Sequence, residues 1–117
     1  MTQRILLRAL CVVTLSVATL GWAQTASYPT KPVRLIVPFP AGGATDLFAR
    51  TLSQKISEKL GQPLVVENRP GAGGTLGSDL AAKATPDGYT LLLSTSSTHS
   101  IGPNLNPRMP YDAVRDF

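Results

Sequence analysis

The sequence predicts an α/β fold in which a parallel sheet carries helices on both faces, a three-layer lobe. Three observations predict it. Apolar runs at 33–37, 63–67 and 89–93 alternate with segments of helical periodicity, and strands separated by helices pair in parallel through right-handed crossovers. The first run, 33–37, is almost continuously apolar, as strands covered on both faces are. Two stretches, 33–46 and 66–74, pass from a strand through a glycine-rich turn into a helix. A helix start of that kind leaves its first backbone N–H groups without partners and partly positive, which suits a carboxylate or a phosphate.

Residues 24–31 are small and polar and lead into the first strand, with Pro32 at a position where no ladder bond is lost. After the turn at 38–43, Leu47, Phe48, Leu52, Ile56 and Leu60 recur at three- to four-residue spacing, with Arg50, Gln54, Lys55, Glu58 and Lys59 between them. Gly61 stands where a left-handed C-cap belongs, so a helix is predicted over 44–60. The second strand is placed at 63–67 and the second glycine-rich turn at 68–74. A short helix over 75–84 is expected to turn Leu76, Leu80 and Ala81 inward. Thr85-Pro86-Asp87-Gly88 reads as a tight turn. The third strand follows at 89–93, and the hydroxyl-rich stretch 94–100 caps a short helix over 97–105, with Ser96 and Ser97 as the capping candidates. Tyr89 and Phe48 read as core or boundary residues.

If strands two and three lie on opposite sides of strand one, the order reverses between strands one and three. Ligands of open α/β sheets sit outside the carboxyl ends of strands at such a reversal. The loops 38–46 and 94–99 then flank the crevice, and 68–74 lies further out on the edge.

The amino terminus sets the compartment. Arg4 and Arg8 precede an apolar run over 9–20, and Gly21-Trp22-Ala23 places small residues at the cleavage-defining positions, the pattern of a secretory signal peptide at 1–23. The run is about a dozen residues, short of the roughly 20 that span a bilayer. Arg8-Ala9-Leu10 is a poor lipobox for Cys11, so the cysteine is expected to leave with the signal. Losing Arg4 and Arg8 takes the formal charge from +4 to +2 and leaves 24–117 without cysteine, hence without any disulfide. The remaining Lys and Arg are scattered singly, with no aromatic stripe among them, and nucleic acid is not an expected partner. A chain of under about 100 residues buries only about 60 to 65% of its unfolded surface.

Catalytic and metal chemistry find little support. His99 is the only histidine and has no Cys or His companion to make a zinc site, nor a placed nucleophile and acid to make a triad. Gly71-Ala72-Gly73 follows a strand, but the dinucleotide fingerprint needs Gly or Ala at position 76, where Leu76 stands. The first turn lacks the Gly-Lys-Ser/Thr ending of a P-loop. No cofactor, no metal and no catalytic residue is therefore assigned, and a dinucleotide-binding enzyme is the weaker alternative.

Five motifs carry a resemblance. Tyr28-Pro-Thr-Lys-Pro-Val33, Val37-Pro-Phe-Pro-Ala-Gly-Gly-Ala-Thr-Asp46, Val66-Glu-Asn-Arg-Pro-Gly-Ala-Gly-Gly74, Pro86-Asp-Gly-Tyr-Thr-Leu91 and Pro110-Tyr-Asp112 with Asp116-Phe117 resemble, in order and spacing, the Bug family. These are periplasmic solute-binding proteins of tripartite tricarboxylate transporters. The resemblance implies a type II periplasmic-binding-protein fold of two α/β lobes closing on a small carboxylate, with 24–117 as the amino-terminal part of the first lobe, incomplete here. It also implies a monomer, a periplasmic location, transient docking on the transporter's membrane subunits and no enzymatic activity. In the family the loop after the first strand serves the carboxylate through backbone groups and bridging waters, which maps onto Phe39, Pro40, Ala41, Gly42, Gly43 and Ala44. The loop after the third strand adds Ser94, Thr95, Ser96 and Thr98.

Each candidate has a plainer reading beside the functional one. Gly42 and Gly43 either approach a ligand carboxylate or only permit a tight turn. Asp46 either accepts a bond from a substrate hydroxyl or amine, or stabilises the first turn of its helix. The hydroxyls of Ser94, Thr95, Ser96 and Thr98 either bind ligand or cap a helix. Arg69 is read as a solvated edge residue. A helix start contributes about 0.3 to 1 kcal/mol, rising to about 2 when partly buried, whereas micromolar affinity needs about 8. One lobe alone is thus expected to bind weakly, and a truncated non-binding remnant or a ligand-sensing module stays open as an alternative.

Overall fold

The computed structural model describes residues 27–117; the expected signal peptide at 1–23, with Cys11, lies outside the described residues. Strands β1 (Val33–Val37), β2 (Leu64–Asn68) and β3 (Thr90–Leu92) form one parallel sheet in the order β2-β1-β3. Helix α1 (Ala44–Leu60) joins β1 to β2, and α2 (Thr75–Ala82) joins β2 to β3. The first crossover steps one strand outward and the second steps back past β1, so a constant right hand places the two helices on opposite faces. Packing agrees with this. Val33, Leu35, Val37 and Leu64 form one buried cluster with Ala49 of α1, while Ile36, on the other face of β1, is fully buried on the side that α2 covers.

Local chemistry fixes the joints. Gly61 takes the left-handed conformation at φ 68° and its N–H bonds the Ser57 carbonyl at 3.0 Å, ending α1 where the sequence predicts. The Ser57 hydroxyl accepts the Leu64 N–H at 2.8 Å and so carries the helix end directly into β2. Beyond β3, a wide π-type turn (Ser97–Ile101) runs into the short helix α3 (Gly102–Leu105). The Gly102 N–H reaches back to the Ser97 carbonyl, and Pro103 has no N–H with which to tighten the coil.

Four expectations are corrected. The inward stripe of α1 is Asp46, Ala49 and Ser53, whereas Leu47 and Phe48 are 69% and 59% exposed; small residues let the helix lie close to the sheet and push the bulky neighbours outward. On α2, Gly77 and Ser78 are buried and Leu76 and Leu80 are exposed. There the Pro38 backbone and the Arg69 carbonyl stand where a larger side chain would have to go. The turn 68–74 does not stay on the edge: Gly74, at φ 95°, returns to sit against Thr98, Phe39 and Pro38. Finally, Ser96 occupies the cap position of the turn after β3 without a side-chain capping bond. Strand limits differ by a residue at β2 and at each end of β3, and α2 stops at Ala82.

Among the described residues no helix is long and apolar enough to cross a membrane, and no cluster of three or more His, Cys, Asp or Glu side chains is placed to hold a metal ion.

Candidate functional site

The β2-β1-β3 order puts the reversal between β1 and β3. Arg34, Leu35 and Ile36 pair with Thr90, Leu91 and Leu92, and the Leu93 N–H continues the ladder to the Ile36 carbonyl at 2.9 Å. The chains leaving β1 at Pro38 and β3 at Ser94 therefore emerge side by side at one end of the sheet. At this mouth Pro40, Ala41, Gly42, Gly43 and Ala44 are exposed and Phe39 is half-buried. Ser94 and Ser96 are exposed, Thr95 is half-buried and Thr98 is buried. Gly74 joins the two loops from below, in contact range of both Phe39 and Thr98.

The start of α1 carries no side-chain cap, because Gly43 is its N-cap residue. The first bond of the helical ladder runs from the Leu47 N–H to the Gly43 carbonyl at 3.0 Å. The N–H groups ahead of it, those of Ala44, Thr45 and Asp46, have no carbonyl a turn earlier to bond, and the helix dipole makes their surroundings positive. A carboxylate outside the turn would meet main-chain donors there.

Asp46 faces the other way. Its buried carboxylate accepts the Gly42 N–H at 2.9 Å and the Arg50 Nε at 3.0 Å on Oδ2, and the Asn68 Nδ2 at 3.0 Å on Oδ1. Both oxygens are thus engaged within the chain. The bond from Arg50, then those from Gly42 and Asn68, hold its pKa down at about 2. Glu67, gripped at both oxygens by Arg34 and touched by Arg69, is held at about 2 as well. Protonation forfeits these bonds in the folded state only, so both groups stabilise the fold above the ordinary carboxylate range and lose that contribution as pH falls from about 4.5 towards 2. Asp46→Asn is expected to lower the thermal midpoint at pH 7 and to flatten its decline between pH 4 and 2; a wild-type midpoint that does not change across that window would contradict this.

The hydroxyl loop is knotted around Thr98. The Thr98 Oγ1 accepts the Thr95 N–H at 3.1 Å and lies 3.0 Å from both the Thr95 carbonyl and the His99 Nδ1. The Thr95 and Ser97 hydroxyls pair at 2.7 Å. The buried Tyr111 donates its hydroxyl to the Thr98 carbonyl at 2.7 Å, and its ring packs edge-on against Phe117. A cavity of about 680 Å³, open to solvent, lies beyond His99 and is lined by Asn104, Met109, Tyr111 and Asp112 among others; none of residues 38–46 or 94–98 borders it, so it is separate from the strand-end mouth.

Asn68, Gly74 and Tyr111 all build this end of the sheet; in the sequence they stand only within the motifs that carry the resemblance, with no site role assigned.

Residues 48–117 match the family model of the tripartite tricarboxylate transporter family receptor. The chain is 48% identical over 114 residues to protein BugT of Bordetella pertussis, covering 94% of this chain and 35% of BugT. The solved structure of periplasmic binding protein BugD aligns with a TM-score of 0.74 at 44% identity, over 77% of this chain and 30% of that one. MatC from Rhodopseudomonas palustris with bound malate gives 0.74 at 41% identity, over 77% and 31%. An R. palustris protein solved with adipate gives 0.66 at 37% identity, over 74% and 29%. The chain spans about a third of the length of these relatives.

Proposed function

Since this chain belongs to the tripartite tricarboxylate transporter receptor family, we propose that it forms the first part of a periplasmic solute-binding protein and presents one wall of a small-carboxylate site. The observation that carries the reading is the strand order, which brings the uncapped start of α1 and the hydroxyl loop after β3 to one mouth. The carboxylate lies against the turn of Phe39, Pro40, Ala41, Gly42, Gly43 and Ala44 and takes main-chain N–H donors from Ala41, Gly43 and Ala44; Pro40 has no N–H, and that of Gly42 is held by Asp46. It takes hydroxyl donors from Ser94, Thr95 and Ser96. Asp46 and Thr98 serve from behind, because their polar atoms are already committed to holding the two loops. The relatives solved with malate and with adipate favour an aliphatic dicarboxylate or a related organic acid. In the whole receptor a second lobe closes over the ligand, and the loaded protein docks on membrane subunits; no bond is made or broken in the ligand.

Amide-resolved NMR titration of the chain with malate and with adipate tests the reading. A helix start with a few hydroxyls falls short of the roughly 4 kcal/mol that millimolar affinity requires. We therefore expect saturable shifts at Gly43, Ala44, Thr45 and the Ser94–Ser96 amides only at ligand concentrations above about 10 mM. Shifts confined to other surfaces, or none in a folded chain, would remove this mouth from the site.

A further inference from the structure

We propose that Asn68, at the end of β2, is the positioning residue of the strand-end mouth, pinning the turn 39–43 in the form that leaves the start of α1 open. Its importance for ligand capture rests on the carboxylate reading above; the pinning itself does not.

Asn68 lies opposite Val37 in the parallel register, one residue short of the turn on the β1 side. Its Nδ2 donates to the Phe39 carbonyl at 3.1 Å and to Asp46 Oδ1 at 3.0 Å, and its Oδ1 accepts from Arg50 Nη2 at 3.3 Å. The amide therefore uses both N–H donors and its carbonyl, which no other side chain of that size can do: a carboxylate has no donor, and a hydroxyl has one and a shorter reach. Asp46, held by Asn68 on one oxygen, takes the Gly42 N–H on the other. Phe39 and Gly42, near the two ends of the turn, are thereby tied to the same two side chains. Gly42 needs such a tie because it sits at φ 84° with no atom near its Cβ position, so packing does not define its conformation. Asn68 fixes the back of the turn, and the N–H groups of Ala44 and Thr45 keep their front.

The test is backbone amide exchange and chemical shift in the unliganded chain, comparing wild type with Asn68→Ser and Asn68→Asp. Both variants are expected to exchange the Gly42 amide about 10- to 100-fold faster at pH 7, the loss that follows from removing a hydrogen bond to a charged acceptor. The Leu93 amide, bonded to the Ile36 carbonyl in the sheet, should be unchanged. In Asn68→Asp the new carboxyl faces Asp46, and two carboxyls sharing a site take up a proton well above the ordinary range. That shared proton restores one donor, so Gly42 protection should recover on lowering the pH from 7 to 5 in Asn68→Asp and stay lost in Asn68→Ser. Unaltered Gly42 and Phe39 signals in either folded variant would overturn the proposal, as would equal loss of protection at Gly42 and Leu93. Titrating the same samples with malate separates the two readings. Turn disorder in the variants with no malate response in wild type upholds the pin and refutes the carboxylate site; equal malate binding by wild type and Asn68→Ser upholds the carboxylate site and refutes the part of Asn68 in ligand capture.

Discussion

Replacing Gly77 with alanine is expected to lower the thermal midpoint by roughly 10 °C, against the usual direction for a glycine inside a helix. In an open helix the change would stabilise by up to about 1 kcal/mol, since alanine restricts the unfolded chain. Here the added Cβ would lie 2.6 Å from the Arg69 carbonyl oxygen and 2.9 Å from Pro38 Cα and Cβ. These neighbours are backbone or ring atoms, and the Arg69 N–H is itself bonded to the Val37 carbonyl at 2.8 Å. Neither can yield like the tip of a flexible side chain, so α2 must move. Overpacking of this kind costs about 1 to 3 kcal/mol, and each kcal/mol shifts the midpoint of a domain this small by about 4 to 8 °C. Circular dichroism melting of the two chains decides the sign, and an unchanged or raised midpoint would mean that α2 tolerates displacement. Because Pro38 begins the turn between β1 and α1, the same substitution should also shift the Phe39 and Gly42 amides.

Gly77 also shows where sequence reading runs out. Strand identity, helix order and the three-layer arrangement were legible because they depend on apolar runs and periodicities of two kinds, which the chain carries in the open. The Val33–Val37 strand and the Ala44–Leu60 helix were legible to the residue, because Pro32, the glycine turn and Gly61 punctuate them. The inward faces of the helices were not. Periodicity gives the repeat, but which of two adjacent stripes faces the sheet depends on how closely the backbones approach, and here Ala49, Ser53 and Gly77 win over Leu47, Phe48 and Leu76. The site divides in the same way. The two loops of the candidate site followed from where the strand order reverses, whereas the inward commitment of Asp46 depends in part on a partner distant in sequence, Asn68, and the Thr98 main chain is held by Tyr111. A polar side chain's partner across the fold leaves no local signature.

The adjacent glycines of the first turn should respond oppositely to the same change, and this tests the ligand site most directly. Gly43 has φ −80° and ψ 172°, extended backbone that valine readily adopts, and a Cβ there would meet only the Pro40 carbonyl oxygen at an ordinary 3.6 Å. Valine is a poorer N-cap than glycine, at a cost of about 1 kcal/mol, so Gly43→Val should stay folded with a modestly lowered midpoint. Its two methyl groups, however, would stand beside the first N–H groups of α1, where a carboxylate oxygen has to come within about 3 Å of nitrogen. Gly42→Val is the control. Nothing lies within 4 Å of its Cβ position, but at φ 84° a β-branched residue is strained, so that variant should lose stability first, by about 1 to 2 kcal/mol. The affinity measurement belongs on a chimera in which this chain replaces the matching third of the malate-bound MatC, so that the remainder of the receptor is present. Gly43→Val is expected to weaken malate binding there by about 10- to 30-fold, the loss of the roughly 1 to 2 kcal/mol that a partly buried helix start contributes. Unchanged affinity in a folded Gly43→Val chimera would show that the carboxylate does not sit on the start of α1, and the hydroxyl loop after β3 would then have to hold it without help from the turn.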